Sequence, residues 1–166
     1  FNLSGDFTKT VDHHVFQLNT EGIYPIAADG VPEKTPDANR DVVQQISNGA
    51  LLKDIFADED EQIQLVSGLD HPFALSRGSD RAGSLYDPES GRLLLLKTQA
   101  PCLVVYTANF VDASVIIAGQ PMLQHNGVAL EAQALPDAIH SDFKDQVILK
   151  AGQTFTSKTR YEVVVK

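Results

Sequence analysis

The sequence of 166 residues contains no tryptophan, one methionine and a single cysteine, Cys102. One cysteine excludes an internal disulfide, and its position in an apolar run predicts a buried strand thiol. A free thiol fits a reducing compartment, so we predict a cytoplasmic protein. No apolar run approaches the length of a membrane span, so the sequence predicts no membrane partner.

Basic residues are also scarce, because 13 Lys and Arg stand against 22 Asp and Glu, a net charge of −9. This balance argues against nucleic acid and anionic membranes as partners. Without His-x-His or Cys-x-x-Cys spacing, the sequence predicts no metal site. The adjacent His13 and His14 would point to opposite faces of a strand, a poor arrangement for chelation. No Gly-x-Ser-x-Gly elbow and no glycine-rich phosphate loop is present, which argues against a nucleophilic triad and a nucleotide site.

What the chain does contain is a series of short strand patterns separated by turn signals, with one helical stretch. This pattern predicts an all-β fold, a large antiparallel β-sandwich. The predicted strands include 11–19, 62–66, 73–76, 83–86, 92–98, 102–107, 128–134 and 154–166. The predicted helix, Asp41–Phe56, breaks at Gly49. Surface loops are predicted over Glu21–Asp37 and Ser79–Gly83.

The strand around Glu131 carries the most distinctive pattern. Side chains alternate along a strand, so Ala129, Glu131 and Gln133 share one face. The other face is entirely apolar and predicts the core side: Val128, Leu130, Ala132 and Ala134. The polar face is either an ordinary solvated surface or an acid and an amide with room for a ligand.

Two further residues could carry proton transfer beside Glu131. His14 shares a strand face with Phe16 and Leu18, so it is either a core histidine satisfied by the backbone or an active group. Asp70 stands at a turn into a strand, where aspartate is common for reasons of turn chemistry alone. The local pattern leaves both alternatives open.

Taken together, these segments resemble the aldose 1-epimerase (galactose mutarotase) family. The resemblance covers nearly the whole chain and corresponds to the family's C-terminal half. The matching motifs stand in the family's order: Phe1–Gly5, Asp12–Leu18 with Ile23–Ile26 and Gly30–Pro32, Leu69–Phe73, Pro101–Phe110, and Leu130–Gln133 with Pro136–Asp137. Each motif is modest by itself, but five in order are specific.

The resemblance implies that residues 1–166 are the C-terminal part of a single mutarotase-like supersandwich, whose N-terminal half would complete the fold and the site. It implies a cofactor-free isomerase acting on a small sugar, a free aldohexose such as galactose or glucose. In this scheme Glu131 is the general base, His14 is the general acid and Asp70 holds sugar hydroxyls. The start at Phe1, without an initiator methionine, also suggests a fragment or a processed chain.

The sequence departs from the family pattern at several points. A second family histidine would lie three residues before Phe1, and the substrate-binding arginine lies further upstream. Val104 replaces the glutamine of the Pro101 strand, and the Phe-Asp-Phe-Arg segment is not recognisable near Gln44–Asn48. Three alternatives therefore stay open: an epimerase for another sugar such as a phosphorylated one, a non-catalytic carbohydrate-binding module, and a sandwich whose polar groups only face solvent.

Overall fold

The computed structural model describes residues 1–76, 78, 82–112, 114–117 and 119–166. Within these ranges the strands are β1 (Val15–Leu18), β2 (Thr20–Ile23), β3 (Ala50–Leu51), β4 (Asp70–Leu75), β5 (Gly83–Tyr86), β6 (Arg92–Thr98), β7 (Cys102–Tyr106), β8 (Ile116–Ile117), β9 (Gln120–Pro121), β10 (Ala129–Gln133) and β11 (Thr159–Val165). The α-helices are α1 (Asp41–Asn48), α2 (Leu52–Phe56) and α3 (Glu61–Val66), and 3₁₀ turns span Ala138–His140 and Lys144–Gln146.

Two antiparallel sheets face each other. One has five strands in the order β11-β6-β5-β1-β3, and the other has four in the order β10-β7-β4-β2. Both sheets send alternate side chains into one core, for example Phe16 and Leu94 from the first and Phe73, Leu103 and Leu130 from the second. Fully burying each such side chain stabilises the fold by about 1.5–3 kcal/mol. The predicted β-sandwich is confirmed.

The three helices pack their apolar faces into the common core. Val42, Val43 and Ile46 of α1 join the common core, and Leu52 and Ile55 of α2 do the same. The predicted helical stretch is therefore confirmed in two pieces. Gly49, with φ of +86°, ends α1 and separates it from the following segment.

The predicted strand over residues 62–66 is wrong, because these residues form α3. The Asp60 side chain accepts a hydrogen bond from the Gln62 backbone N–H at 2.8 Å and caps the first turn. Gln62, Ile63 and Val66 then fall on one buried side at helical spacing. In the sequence, the acidic residues before the helix look like a solvated charge cluster. In the structure one of them, Asp60, is the N-cap of the helix.

The predicted loop over Glu21–Asp37 is also wrong at its beginning. Thr20–Ile23 is β2, which pairs with β4, and Ile23 and Tyr24 are buried. Most of the remaining segment is irregular, with an isolated bridge between Ile23 and Asp37. The loop predicted over Ser79–Gly83 lies mostly outside the described residues.

Candidate active site

The outer face of the four-stranded sheet brings two of the three predicted site residues together. Asp70 of β4 pairs with Tyr106 of β7. Two residues further along β4, Pro72 pairs with Val104 of β7, and Val104 in turn pairs with Glu131 of β10. Residues paired across neighbouring strands point to the same face. Asp70, Tyr106 and Glu131 therefore surround Val104 on the side of the sheet that faces away from the sandwich core.

The other end of this face is closed. Ala74 and Cys102 pack in a second, smaller cluster whose further members are Tyr24, Leu135, Ala138 and Phe143. Burial raises the pKa of the Cys102 thiol to about 12, so it is an inert core group at neutral pH, as the sequence predicts. The outer face is thus divided into an apolar end covered by residues 135–143 and a polar end that holds the carboxylates.

The two carboxylates influence each other across the strands. The pKa of Asp70 is raised, first because the group is partly buried and second because Glu131 adds a like charge. Glu131 itself is exposed. In the described part of the chain neither carboxylate accepts a hydrogen bond or pairs with a base. Both are therefore available to accept hydrogen bonds from a polyhydroxylated ligand.

A buried polar network holds the backbone beside Asp70. The Leu69 N–H donates to Thr107 Oγ1 at 2.9 Å, and the Leu69 carbonyl accepts from the Thr107 N–H at 3.0 Å and from Asn109 Nδ2 at 2.8 Å. Thr107 Oγ1 lies 2.7 Å from Asn109 Oδ1 and donates to it. Both the N–H and the carbonyl of Leu69, the residue before Asp70, are thereby held by hydrogen bonds.

The residue after Asp70 is held as firmly. His71 is fully buried, its Nδ1 accepts the Asp70 backbone N–H at 3.1 Å, and its Nε2 lies 3.2 Å from Gln62 Oε1. Nε2 therefore carries the proton and donates to the amide. Burial lowers the pKa of His71 to about 4, which keeps the ring neutral. Gln62 also binds the backbone of Ile26, so helix α3 is tied to β4 through this histidine.

His14 does not share the outer face with Asp70 and Glu131. It lies just before β1, is 1% exposed, and accepts the Leu3 backbone N–H on Nε2 at 2.9 Å. Because Nε2 accepts, Nδ1 carries the proton, and this atom has no partner among the described residues. Burial is the main cause that lowers the pKa of His14. Of the two alternatives for His14, these surroundings fit a core histidine that is satisfied by the backbone. The role of His14 as general acid stays a prediction.

Sequence reasoning overlooked three residues that this geometry brings forward: Tyr106, Thr107 and Asn109. They occur together in the Tyr-Thr-Ala-Asn-Phe segment, so their spacing was visible in the sequence. Their roles were not visible, because Tyr106 faces the carboxylates while Thr107 and Asn109 bind the strand that carries Asp70.

The candidate site is an open surface, and two cavities of the described chain lie elsewhere. One, of about 640 Å³, borders Tyr24 and Cys102, and the other, of about 1080 Å³, lies between Gln133 and residues 145–157. Neither is lined by Asp70 or Glu131. Over the described ranges no group of three or more His, Cys, Asp or Glu could hold a metal ion. None of the helices described is long and apolar enough to cross a membrane.

The fold and site define a β-sandwich with a pair of free carboxylates on an outer sheet face. The model of the aldose 1-epimerase family matches residues 1–162, and the chain belongs to this family. It is 25% identical to the aldose 1-epimerase of Escherichia coli strain K12 over 171 residues, which cover 100% of this chain and 49% of that protein. It is likewise 25% identical to the galactose mutarotase of Homo sapiens, covering 99% of this chain and 48% of that protein.

Solved structures show the same fold. A crystal structure of galactose 1-epimerase from Lactobacillus acidophilus NCFM superposes with a TM-score of 0.75 at 24% identity, over 95% of this chain and 45% of that one. An aldose epimerase homologue from C. elegans superposes with a TM-score of 0.78 at 17% identity, over 99% of this chain and 49% of that one. The chain thus spans about half the length of the relatives it matches.

Proposed function

We propose that the protein to which this chain belongs is an aldose 1-epimerase that interconverts the α and β anomers of a free aldohexose such as galactose or glucose. The observation that carries the proposal is the pair of free carboxylates, Asp70 and Glu131, on one open face of a family member. A neutral sugar presents hydroxyl donors, and carboxylates are acceptors only, so the face suits such a ligand.

In the proposed reaction Glu131 is the general base. It removes the proton from the anomeric hydroxyl while an acid protonates the ring oxygen, and the ring opens to the aldehyde. Rotation of the C1 carbonyl followed by closure, with the two roles reversed, yields the other anomer. Exposed Glu131 can reach a bound sugar, and Asp70, two strands away across the face, would hold hydroxyls away from the anomeric carbon.

The acid has two candidate sources, His14 and a residue upstream of Phe1, and the backbone pairing of Phe1 supports the second. Phe1 and Val128 exchange both backbone hydrogen bonds, at 2.7 and 2.8 Å, which is an antiparallel pair on the free edge of β10. A strand continuing this register would bring the third residue before Phe1 opposite Glu131. The resemblance puts the second family histidine at that position. The Tyr161 hydroxyl, which now donates to the Leu130 carbonyl on this edge, would have to yield to such a strand.

The test is a polarimetric assay on the full-length protein. Glu131→Gln removes the base but keeps the shape, and we expect the catalysed rate to fall about 10²- to 10⁴-fold. Glu89→Gln, at an exposed ion pair with Lys9, is the matched control and keeps the wild-type rate. Unchanged denaturation midpoints would show that the fold survives. A normal rate for Glu131→Gln would refute the proposal.

His14→Gln in the same assay separates the two sources of the acid. If the acid is His14, the rate collapses as it does for Glu131→Gln. If His14 only supports the N-terminal segment through its bond to Leu3, the variant loses stability but keeps its turnover per folded molecule.

Two of the alternatives make different predictions. An enzyme for a phosphorylated sugar would need arginine or lysine beside the carboxylates, and no position on the outer faces of β4, β7 and β10 carries one. A non-catalytic module is consistent with a face that lacks His14. It would bind the sugar, as calorimetry can measure, without accelerating the change in optical rotation.

A further inference from the structure

Tyr106 occupies a distinctive position in the candidate site. It is the direct cross-strand partner of Asp70, on the strand that lies between Asp70 and Glu131. Side chains paired in this way have Cβ atoms about 4.5–5.5 Å apart. The Tyr106 and Asp70 side chains therefore leave neighbouring positions on the same open face, where both can contact one ligand.

The hydroxyl of Tyr106 is poised to donate a hydrogen bond. Its oxygen accepts the backbone N–H of Phe110 at 3.0 Å, which fixes its position. No acceptor within the described residues takes its proton. Phe110 is 65% exposed, and this hydrogen bond lies at the exposed surface. The Tyr106 oxygen is held by the hydrogen bond that it accepts, so its O–H is well placed to donate to a ligand oxygen.

Asp70 offers the opposite capacity. Its carboxylate accepts no hydrogen bond in the described chain, while its backbone is held by Leu69 and His71 as described above. A sugar hydroxyl donates one hydrogen bond and accepts others. A carboxylate and a phenol that stand side by side thus match the two capacities of a single hydroxyl group.

We infer that Tyr106 and Asp70 bind the same hydroxyl of the sugar: Tyr106 donates a hydrogen bond to its oxygen, and Asp70 accepts a hydrogen bond from its O–H. The inference rests on the proposed function and names the residue pair that selects for one equatorial or axial hydroxyl. A sugar that lacks this hydroxyl would leave both groups without a partner, and sites of this kind reject such analogues strongly.

The experiment uses the full-length protein with a panel of hexoses, each lacking one hydroxyl. Tyr106→Phe and Asp70→Ala are compared with the wild type by mutarotation kinetics and by calorimetric Kd. Tyr86→Phe, a tyrosine of β5 in the other sheet, is the matched control. For the parent sugar we expect Tyr106→Phe to raise KM and Kd about fivefold with little change in kcat, as for one neutral hydrogen bond.

The decisive readout is the deoxy sugar for which each penalty disappears. We expect the effects of both substitutions to vanish for the same deoxy hexose. If Tyr106→Phe only disturbs the Phe110 loop, its penalty stays equal for every sugar, and that result overturns the inference. The inference is also overturned if the Tyr106→Phe penalty vanishes for one deoxy sugar and the Asp70→Ala penalty vanishes for another.

The two readouts also separate this inference from the proposed function. A wild type that binds hexoses with the expected pattern of Kd values but does not accelerate mutarotation refutes the function and supports the shared hydroxyl. A wild type that catalyses mutarotation without this pattern supports the function and refutes the shared hydroxyl.

Discussion

Replacing Gly68 with alanine tests how tightly the network beside Asp70 is packed. A Cβ at position 68 would lie 2.5 Å from Asn109 Oδ1 and 2.7 Å from Thr107 Oγ1, well inside contact distance. Its backbone φ of +142° is also a conformation that side chains rarely adopt. The substitution must therefore strain the backbone and also push apart the side chains that bind Leu69.

The expected cost follows from these two effects. An unfavourable backbone conformation costs about 1–3 kcal/mol. Displacing Thr107 and Asn109 leaves buried polar groups of Leu69 unpaired, which costs a further 1–3 kcal/mol or so. We expect Gly68→Ala to lower the free energy of unfolding by about 4 kcal/mol, measured by urea denaturation.

Gly30→Ala is the matched control. Gly30 also has a positive φ, +81°, but a Cβ there would meet no atom within 4 Å. Its expected cost is the conformational part alone, about 1–2 kcal/mol. Equal losses for the two variants would mean that the atoms around Gly68 give way freely, and the tight network described here would be refuted. Because Asp70 follows this network directly, Gly68→Ala should also raise KM more than Gly30→Ala does.

Two further predictions concern buried titratable groups. The pKa of His71 is lowered to about 4, so the unfolded chain binds a proton at higher pH than the folded chain does. The free energy of unfolding should therefore fall by up to about 3 kcal/mol as the pH drops from about 6.5 to about 4. Urea titrations across this range should show the slope, and His71→Asn should flatten it; an equal slope in both would contradict the assignment. The pKa of Cys102 is raised to about 12, so a thiol reagent at pH 8 should label the protein only as fast as it unfolds, and rapid labelling under native conditions would place the thiol at the surface instead.

Local patterns were sufficient for much of the fold. The hairpin of β5 and β6 follows from two strand patterns around the turn at Asp87–Gly91, and the division of α1 from α2 follows from Gly49. Helix α3 was missed because six residues contain less than two full turns, too few for a periodicity to separate helix from strand. Strand β2 was missed because its pairing with β4, about fifty residues away, outweighs the glycine and proline content around it.

The site was predictable only in part. Alternation alone places Glu131 opposite the core side of β10, as the structure has it. That Asp70 joins it depends on the register of β4 and β10 with β7, which no local pattern encodes. His14 shows the limit of such reasoning. A buried ring was one of two alternatives in the sequence, and its contact with the Leu3 backbone was not visible there.

The arrangement of the outer face argues that the carboxylates are there for a ligand. Like charges on one sheet face destabilise it, and the raised pKa of Asp70 records the cost of burial and of the neighbouring Glu131. A surface selected only for stability would pair such groups with lysine or arginine. Here the backbone around Asp70 is instead held by buried hydrogen bonds on both sides, and the apolar end of the same face is covered. Rigid support behind unpaired acceptors is what a site needs if the hydroxyls of a sugar are to complete it.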